Sequence, residues 1–390
     1  MKIVFDKQEL LDAIAPTLGT VSTKNTIASI EGIHMETVTP EKEGDPNVRF
    51  TTFDMNKGTR VYAHAVEVIE PGSVIIQASR LVPIIKVLSD GEITIAVDEK
   101  QNATVSSGRA SFSIASLPGK DFPALPDLAS RYRIFELDGG LLRDLLGRVI
   151  HSVAESDNRP MLCGAFLRIH ADRLEVVSCD SYTLSRCTAA CEIKDSGDMS
   201  AIDFSCIIPG HGLSELCRLL PSAEGTRVTV RTTLKYIIFC LGSVTYFCRL
   251  MDCEYIDYER IIPHDQDIFV TVDRARLSAA LERANLIAEE KIQGSAKSYV
   301  KVVLDGEELR ISATTVNGKV YEELPIAHEG GDLEIAFNSR YLFNSVRVTT
   351  GERLALAFKG PTQSVIIRPK EPDGKRDFFY MVLPVRVNGK

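Results

Sequence analysis

A pattern that returns three times along the chain sets most of what this sequence can fold into. An apolar helical stretch at Gln8–Leu18 reappears at Gly140–Val153 and again at Arg274–Ile287. Aligned on Leu11, Leu142 and Leu277, the copies lie 131 and 135 residues apart. A strand-then-helix stretch also recurs, at Val74–Leu81, Cys206–Leu213 and Ile335–Leu342, and its leucines Leu81, Leu213 and Leu342 are 132 and 129 apart. Two independent anchors therefore agree on a period near 130, a third of the 390 residues. Self-similarity at a fixed period fixes an architecture before any single motif does.

Each copy of the first helix follows a short apolar strand and an Asp: Asp6, Asp138 and Asp273. A carboxylate there can accept from the free N–H groups of the helix's first turn, and Asp6 with Glu9 has capping-box spacing. Between the helices lie strand-like runs, among them Val48–Thr52, Arg60–Val68, Ile93–Val97, Tyr236–Leu241, Leu309–Ala313 and Leu354–Phe358. Each third reads as two copies of strand, helix and three strands. The expected fold class is α+β, three repeated domains whose helices cover one face of antiparallel sheet. The segments FPALPDL and IIPHDQD carry the turn residues of linkers and place the domains at 1–127, 128–264 and 265–390.

Hydrophobic residues make up 44% and charged residues 25%, a globular composition. The net charge of −8 excludes a bulk-basic nucleic-acid binder, so any contact with an acidic polymer needs a local basic surface. No apolar run approaches the ~20 residues that span a bilayer, and acids at Asp6 and Glu9 are unlike a signal peptide. The expected location is cytoplasmic, with no membrane partner.

All nine cysteines lie between Cys163 and Cys253, without a CxxC pair. That spacing argues against a zinc site or disulfide framework and for small buried hydrophobes in a middle domain. The chain has no GxGxxG after a strand, no GxxxxGK[ST], no HExxH and no GxSxG. Asp180, between Cys179 and Ser181, reads as a turn residue rather than part of a nucleophile. Nothing here points to catalysis, a metal or a cofactor.

Three segments, each closing a repeat, carry a family resemblance: Ser107–Pro118 with Asp121-Phe122-Pro123, Tyr255–Pro263, and Tyr380–Val387. With Phe337-Asn338 and the threefold repeat, they resemble the bacterial sliding clamp, the beta subunit of the replicative DNA polymerase, over essentially the whole chain. The resemblance implies a head-to-tail dimer closed into a ring around duplex DNA, with helices lining the hole and sheets outside. It implies a processivity factor that is not an enzyme. Its partners would be sequence-independent duplex DNA, the polymerase catalytic subunit, the clamp loader, and repair and translesion proteins. The sequence departs from the family's T-D-G-H-R-L at Cys179-Asp180-Ser181-Tyr182-Thr183-Leu184, has Gly210-His211 where a basic pair is usual, and has Pro160-Met161 where tyrosines often stand.

Carried over position by position, the resemblance implies DNA proximity for Lys24, Arg80, Lys86, Arg143, Arg148, His151, Arg159, Arg218, Arg276, Arg283 and Arg340. It implies a partner-peptide pocket of Leu162, Cys179, Ser181, Tyr182, Leu184, Ile256, Arg260, Ile261, Asn338, Tyr341, Thr362, Ser364, Met381, Leu383, Pro384, Val385 and Arg386. It implies a dimer interface of Arg109, Phe112 and Ile114 against Leu286 and Ile287. Two rival readings stand beside it: a metal- or thiol-dependent enzyme built on the cysteine-rich middle third, and a clamp paralogue dedicated to repair.

Overall fold

The structure, a computed structural model, describes residues 1–23, 27–42, 44–129, 133–195, 203–288, 299–316 and 318–386. The first third runs β1 (Lys2–Asp6), α1 (Lys7–Ile14), β2 (Gly32–Thr37), β3 (Val48–Phe53), β4 (Lys57–Ala63), β5 (Glu67–Glu70), β6 (Ser73–Gln77), α2 (Ala78–Val87), β7 (Glu92–Val97), β8 (Asn102–Ser107) and β9 (Ala110–Pro118). The middle third repeats the order: β10 (Arg133–Asp138), α3 (Gly139–Val149), β11 (Gly164–His170), β12 (Arg173–Cys179), β13 (Thr183–Ala190), β14 (Lys194–Asp195), β15 (Asp203–Pro209), α4 (Gly210–Leu219), β16 (Arg227–Thr232), β17 (Tyr236–Leu241) and β18 (Val244–Arg249). The last third repeats it again: β19 (Ile268–Asp273), α5 (Arg274–Ala288), β20 (Tyr299–Asp305), β21 (Glu308–Thr314), β22 (Lys319–Pro325), β23 (Ala327–Glu329), β24 (Leu333–Asn338), α6 (Ser339–Val348), β25 (Arg353–Phe358), β26 (Val365–Pro369) and β27 (Arg376–Val382). The twofold motif inside each third is the one read from the sequence, with one short extra strand (β5, β14, β23) between its halves.

Local chemistry explains where elements begin and end. Asp6 caps α1, its Oδ1 accepting from Gln8 N at 2.9 Å and Glu9 N at 3.1 Å. Asp273 accepts from Arg276 N at 2.8 Å, and Asp138 accepts from Gly225 N at 2.7 Å in the loop after α4. The first helix is shorter than its apolar run: α1 ends at Ile14, before Pro16, and a 3-10 turn over Ala15–Thr20 continues it. The expected strand Arg60–Val68 breaks into β4 and β5. The Asn47 side chain takes both backbone groups of Ala65, with Ala65 N donating to its Oδ1 at 2.7 Å and its Nδ2 donating to Ala65 O at 3.1 Å.

Two compact units divide the chain, and the division cuts through the middle third. The first unit holds the first third with β10, β14 and β16–β18; the second holds β11–β13, β15 and the last third. Among the described residues the first unit forms one fourteen-stranded sheet, β14-β10-β16-β17-β18-β4-β3-β2-β6-β9-β8-β7-β1-β5. The second forms β15-β11-β12-β13-β27-β26-β25-β19-β23 and a separate β22-β21-β20-β24. In the first third, α1 and α2 bury Leu10, Ile14, Leu81 and Ile85 on the inner face of Ile3, Phe5, Phe50 and Ile93. Each such fully buried side chain contributes roughly 1.5–3 kcal/mol.

Candidate functional site

Several residues expected to line a peptide pocket come together in the second unit, where β13 pairs antiparallel with β27, Leu184 opposite Met381. Leu162, Cys179, Leu184 and Met381 are buried together with Val177, Tyr258, Ile262, Ile366 and Phe379, and Ile256, Tyr255 and Met161 pack partly buried against them. The floor is therefore apolar and closed. Above it, Tyr182 (57% exposed), Ile261 (46%) and Leu383 (38%) present apolar surface to solvent. The sequence reading missed Val177, Tyr258, Ile262, Ile366 and Phe379. Their signal, three apolar strands and the second linker, was visible, but nothing local told these positions from any other core.

The rim is built by backbone pairing. In the β12–β13 turn Asp180 Oδ1 accepts from Tyr182 N at 2.9 Å, Thr183 N at 2.6 Å and Thr183 Oγ1 at 3.0 Å, which makes Asp180 a satisfied turn residue. Burial pushes its carboxyl up, against the pull of these hydrogen bonds. Ser181 sits at φ 78°, a left-handed conformation that favours glycine. Leu383 N donates to Tyr182 O at 2.8 Å, Pro384 bridges to Phe337, and Val385 N donates to Ala336 O at 2.7 Å. Asn338 caps α6, accepting from Arg340 N at 3.1 Å and Tyr341 N at 3.2 Å, and so sets Tyr341 beside the turn. Ser364 is buried, while Thr362 and Arg386 are exposed. Arg260 is exposed and pairs with Asp257 at 2.8 Å.

Cys179, Cys187, Cys206, Cys240 and Cys248 are strand residues, Cys217 lies on α4, and all nine cysteines are free thiols. Cys179, Cys187 and Cys248 are buried, though Cys253 is exposed, against the expectation that all nine are core. Burial pushes the Cys187 and Cys248 thiols up to about 12, the reverse of what a thiolate nucleophile needs.

The expected basic set separates into two groups, and Lys24 lies outside the described residues. Arg80 and Lys86 on α2 and Arg276 on α5 are exposed and have no side-chain ion pair among the described residues; Arg340 is exposed at the start of α6, and Arg143 is half-buried on α3. The others are engaged by neighbouring groups of the chain. Arg148 pairs with Asp144 at 2.7 Å, donates to Val348 O and lies 4.6 Å over the Phe378 ring. His151 lies within 3.4 Å of Ser345 and Ser185, and burial, with Arg347 nearby, pulls its pKa down to about 4, so it is neutral at pH 7. Arg159 pairs with Asp157 at 3.1 Å and donates to Ser181 Oγ, which puts it beside the pocket. Arg218 holds Glu215 and donates to Pro16 O at 3.1 Å. Arg283 grips Glu322 through two bonds of 2.6 and 2.7 Å. The repeat register also aligns Arg347 with Lys86 and Arg218, an exposed cation of α6 that the sequence reading overlooked.

The sheet edges supply a further geometry. Within the first unit β4 pairs with β18, Gly58 opposite Phe247; within the second β13 pairs with β27, Leu184 opposite Met381. By the repeat, β22 corresponds to β4 and β13, and β9 to β18 and β27. Among the described residues, β22 and the Ala110–Ser113 half of β9 each pair on one side only. At the two joined pairs an aromatic, Tyr246 or Tyr380, is fully buried; its counterpart on β9 is Phe112, 38% exposed. Beneath the joined strands lie hydroxyl clusters. Thr20 bonds Thr52 at 2.6 Å and Thr59 at 3.0 Å, and Ser152 bonds Ser185 at 2.7 Å. The matching positions beside β22 are Ile287, Ala313 and Val320, all apolar. Leu286 is 77% exposed, and Ile114 and Ile287 are half-buried.

Three family models match in order: the N-terminal domain of the DNA polymerase III beta subunit over residues 1–126, its central domain over 136–257 and its C-terminal domain over 259–386. The beta sliding clamp of Pseudomonas putida is 31% identical over 323 residues, 82% of this chain and 84% of that protein. The beta sliding clamp of Bacillus subtilis is 27% identical over 395 residues, 99% of this chain and all of its own length. Among solved structures, the Bacillus subtilis DNA polymerase sliding clamp superposes with TM-score 0.87 at 25% identity, covering 99% of both chains. The DNA polymerase III subunit beta of Pseudomonas aeruginosa superposes with TM-score 0.85 at 26% identity, covering 99% of this chain and 100% of that one. These likenesses set the thiol-enzyme reading aside: the chain belongs to the bacterial beta sliding clamps, the non-catalytic processivity subunit of DNA polymerase III.

Proposed function

We propose that two copies of this chain close head to tail into a ring around duplex DNA, each chain contributing domains at 1–127, 128–264 and 265–390. The observation that supports it most strongly is the agreement of two registers. Carried onto the free edges, the β4–β18 and β13–β27 pairings give one alignment of β22 with the partner's β9. Lys319 falls opposite Ser113, Val320 opposite Phe112, Tyr321 opposite Ser111 and Glu322 opposite Ala110. The next pair sets Glu323 against Arg109, opposite charges at the end of the ladder. Phe112 then meets Val320 and Ile287, an apolar contact in place of the buried hydroxyl networks inside each chain. Closure pairs two open strand edges that would otherwise invite aggregation.

On this reading the ring holds DNA by topology, so a chain of net charge −8 serves a polyanion with few cations. Arg80, Lys86, Arg276 and Arg347 meet phosphate without reading sequence. The apolar pocket of the second unit takes an extended peptide of the type Gln-Leu-x-Leu-Phe from the polymerase, the clamp loader and repair or translesion proteins in the cytoplasm. Burying two large apolar side chains there yields ~3–6 kcal/mol before ordering costs, which suits micromolar, exchangeable binding.

The test is a register-specific cross-link in a Cys253→Ser background. Ser111→Cys with Tyr321→Cys should form a covalent dimer, because facing residues of an antiparallel pair hold their Cβ atoms roughly 5 Å apart. Ser111→Cys with Glu322→Cys should not, since a one-residue slip turns the side chain to the other face. Equal cross-linking of both pairs, or none, would reject the pairing.

A further inference from the structure

The pocket has a counterpart at the β4–β18 pair, and the two differ at three matched positions. Cys179, Leu184 and Met381 of the pocket correspond to Phe53, Gly58 and Phe247. Phe247 is fully buried and packs on Phe53 with ring centroids 5.6 Å apart. Its ring lies where a leucine would otherwise stand: a Cβ on Gly58 would come 2.3 Å from Phe247 Cζ. The first linker closes over this cluster with Phe122, Leu125 and Leu128, as the second linker walls the pocket with Tyr255, Ile256 and Ile262. The backbone frame is also the same, since Arg249 N donates to Asn56 O at 2.7 Å just as Leu383 N donates to Tyr182 O. On the free edges the matched residues are Thr314, Lys319 and Ser113, all polar and exposed.

Resting on the peptide-pocket reading above, we propose that the residue at the position shared by Met381, Phe247 and Ser113 decides which of the equivalent grooves accepts a partner peptide. Phe247 plugs the first groove with the chain's own ring. Met381, flexible and set against Leu184, leaves the second groove adaptable and open. Polar residues remove the apolar floor from the third. One chain therefore offers one site, although its repeat builds the same frame more than once.

Calorimetric titration of the whole protein with a synthetic Gln-Leu-Ser-Leu-Phe peptide tests this by stoichiometry. Wild type should bind one peptide per chain, and Phe247→Ala should bind two. If wild type binds none, the pocket reading has failed. If wild type binds one and folded Phe247→Ala still binds one, the plug is overturned while the pocket stands. Should Phe247→Ala not fold, Phe247→Leu, closer in volume, is titrated in its place with the same two outcomes. The reciprocal change, Met381→Phe with Leu184→Gly, should lower affinity at least tenfold, and unchanged affinity in that folded variant would equally overturn the proposal.

Discussion

Tyr182 and Tyr341 stack near-parallel beside the proposed pocket, ring centroids 5.7 Å apart and planes 18° from parallel. One comes from the β12–β13 turn and the other from the first turn of α6, so the pair ties two elements across the groove. An aromatic pair of this kind contributes about 0.5–1.5 kcal/mol beyond its area. Tyr341→Ala should weaken binding of a Gln-Leu-x-Leu-Phe peptide about five- to tenfold in calorimetry while moving the thermal midpoint little. Unchanged affinity would place the bound peptide away from this rim.

Arg148 and Arg80 should behave oppositely. Arg148 is held by Asp144, by Val348 O and by the Phe378 ring, so Arg148→Ala should cost about 2 kcal/mol in urea unfolding and leave DNA affinity unaltered. Arg80 is exposed on α2, so Arg80→Ala should leave stability unchanged. It should reduce the salt slope of binding to short linear duplex by about 1. A reversed pattern would reassign both residues.

His151 makes stability depend on pH. Its folded-state pKa, pulled down by burial to about 4, lies below the ordinary 6.5, so the unfolded chain takes the proton first. The stabilisation is complete above pH 6.5 and is lost as pH falls toward 4, on the order of 3 kcal/mol. His151→Gln, neutral throughout, should flatten the unfolding free energy over that window relative to wild type. Identical profiles would mean that the imidazole titrates normally in the fold.

Phe112 offers the cleanest disruption of the proposed dimer, because it is 38% exposed in a single chain. Phe112→Asp should sediment as a monomer with unchanged circular dichroism, and Ile287→Asp should do the same at some cost in stability. A Phe112→Asp dimer at micromolar concentration would remove β9 from the interface.

Much of this architecture was legible because it rests on local pattern. Apolar spacing around Leu11, Leu142 and Leu277 gave the first helices, and Leu81, Leu213 and Leu342 gave the second. The satisfied turn at Asp180 follows from side-chain chemistry within three residues. What could not be read depends on distant partners. The carbonyl that holds Arg148 belongs to Val348, 200 residues away, and Glu322, which takes Arg283, is 39 residues on. A cation's spacing on a helix says only which face it shares, not whether a carboxylate already waits there. The continuation of β4 into β18 and β13 into β27 was hidden for the same reason, since strand pairing across thirds leaves no local mark.

Encirclement of DNA is the claim on which the rest depends. Protein loaded by its partner machinery onto nicked circular duplex and washed at high salt should remain bound, because phosphate contacts are screened but a closed ring cannot leave. A single cut that linearises the circle, with the ends left open, should then release it. Loss from the intact circle at high salt, or retention on the linear product, would contradict the ring.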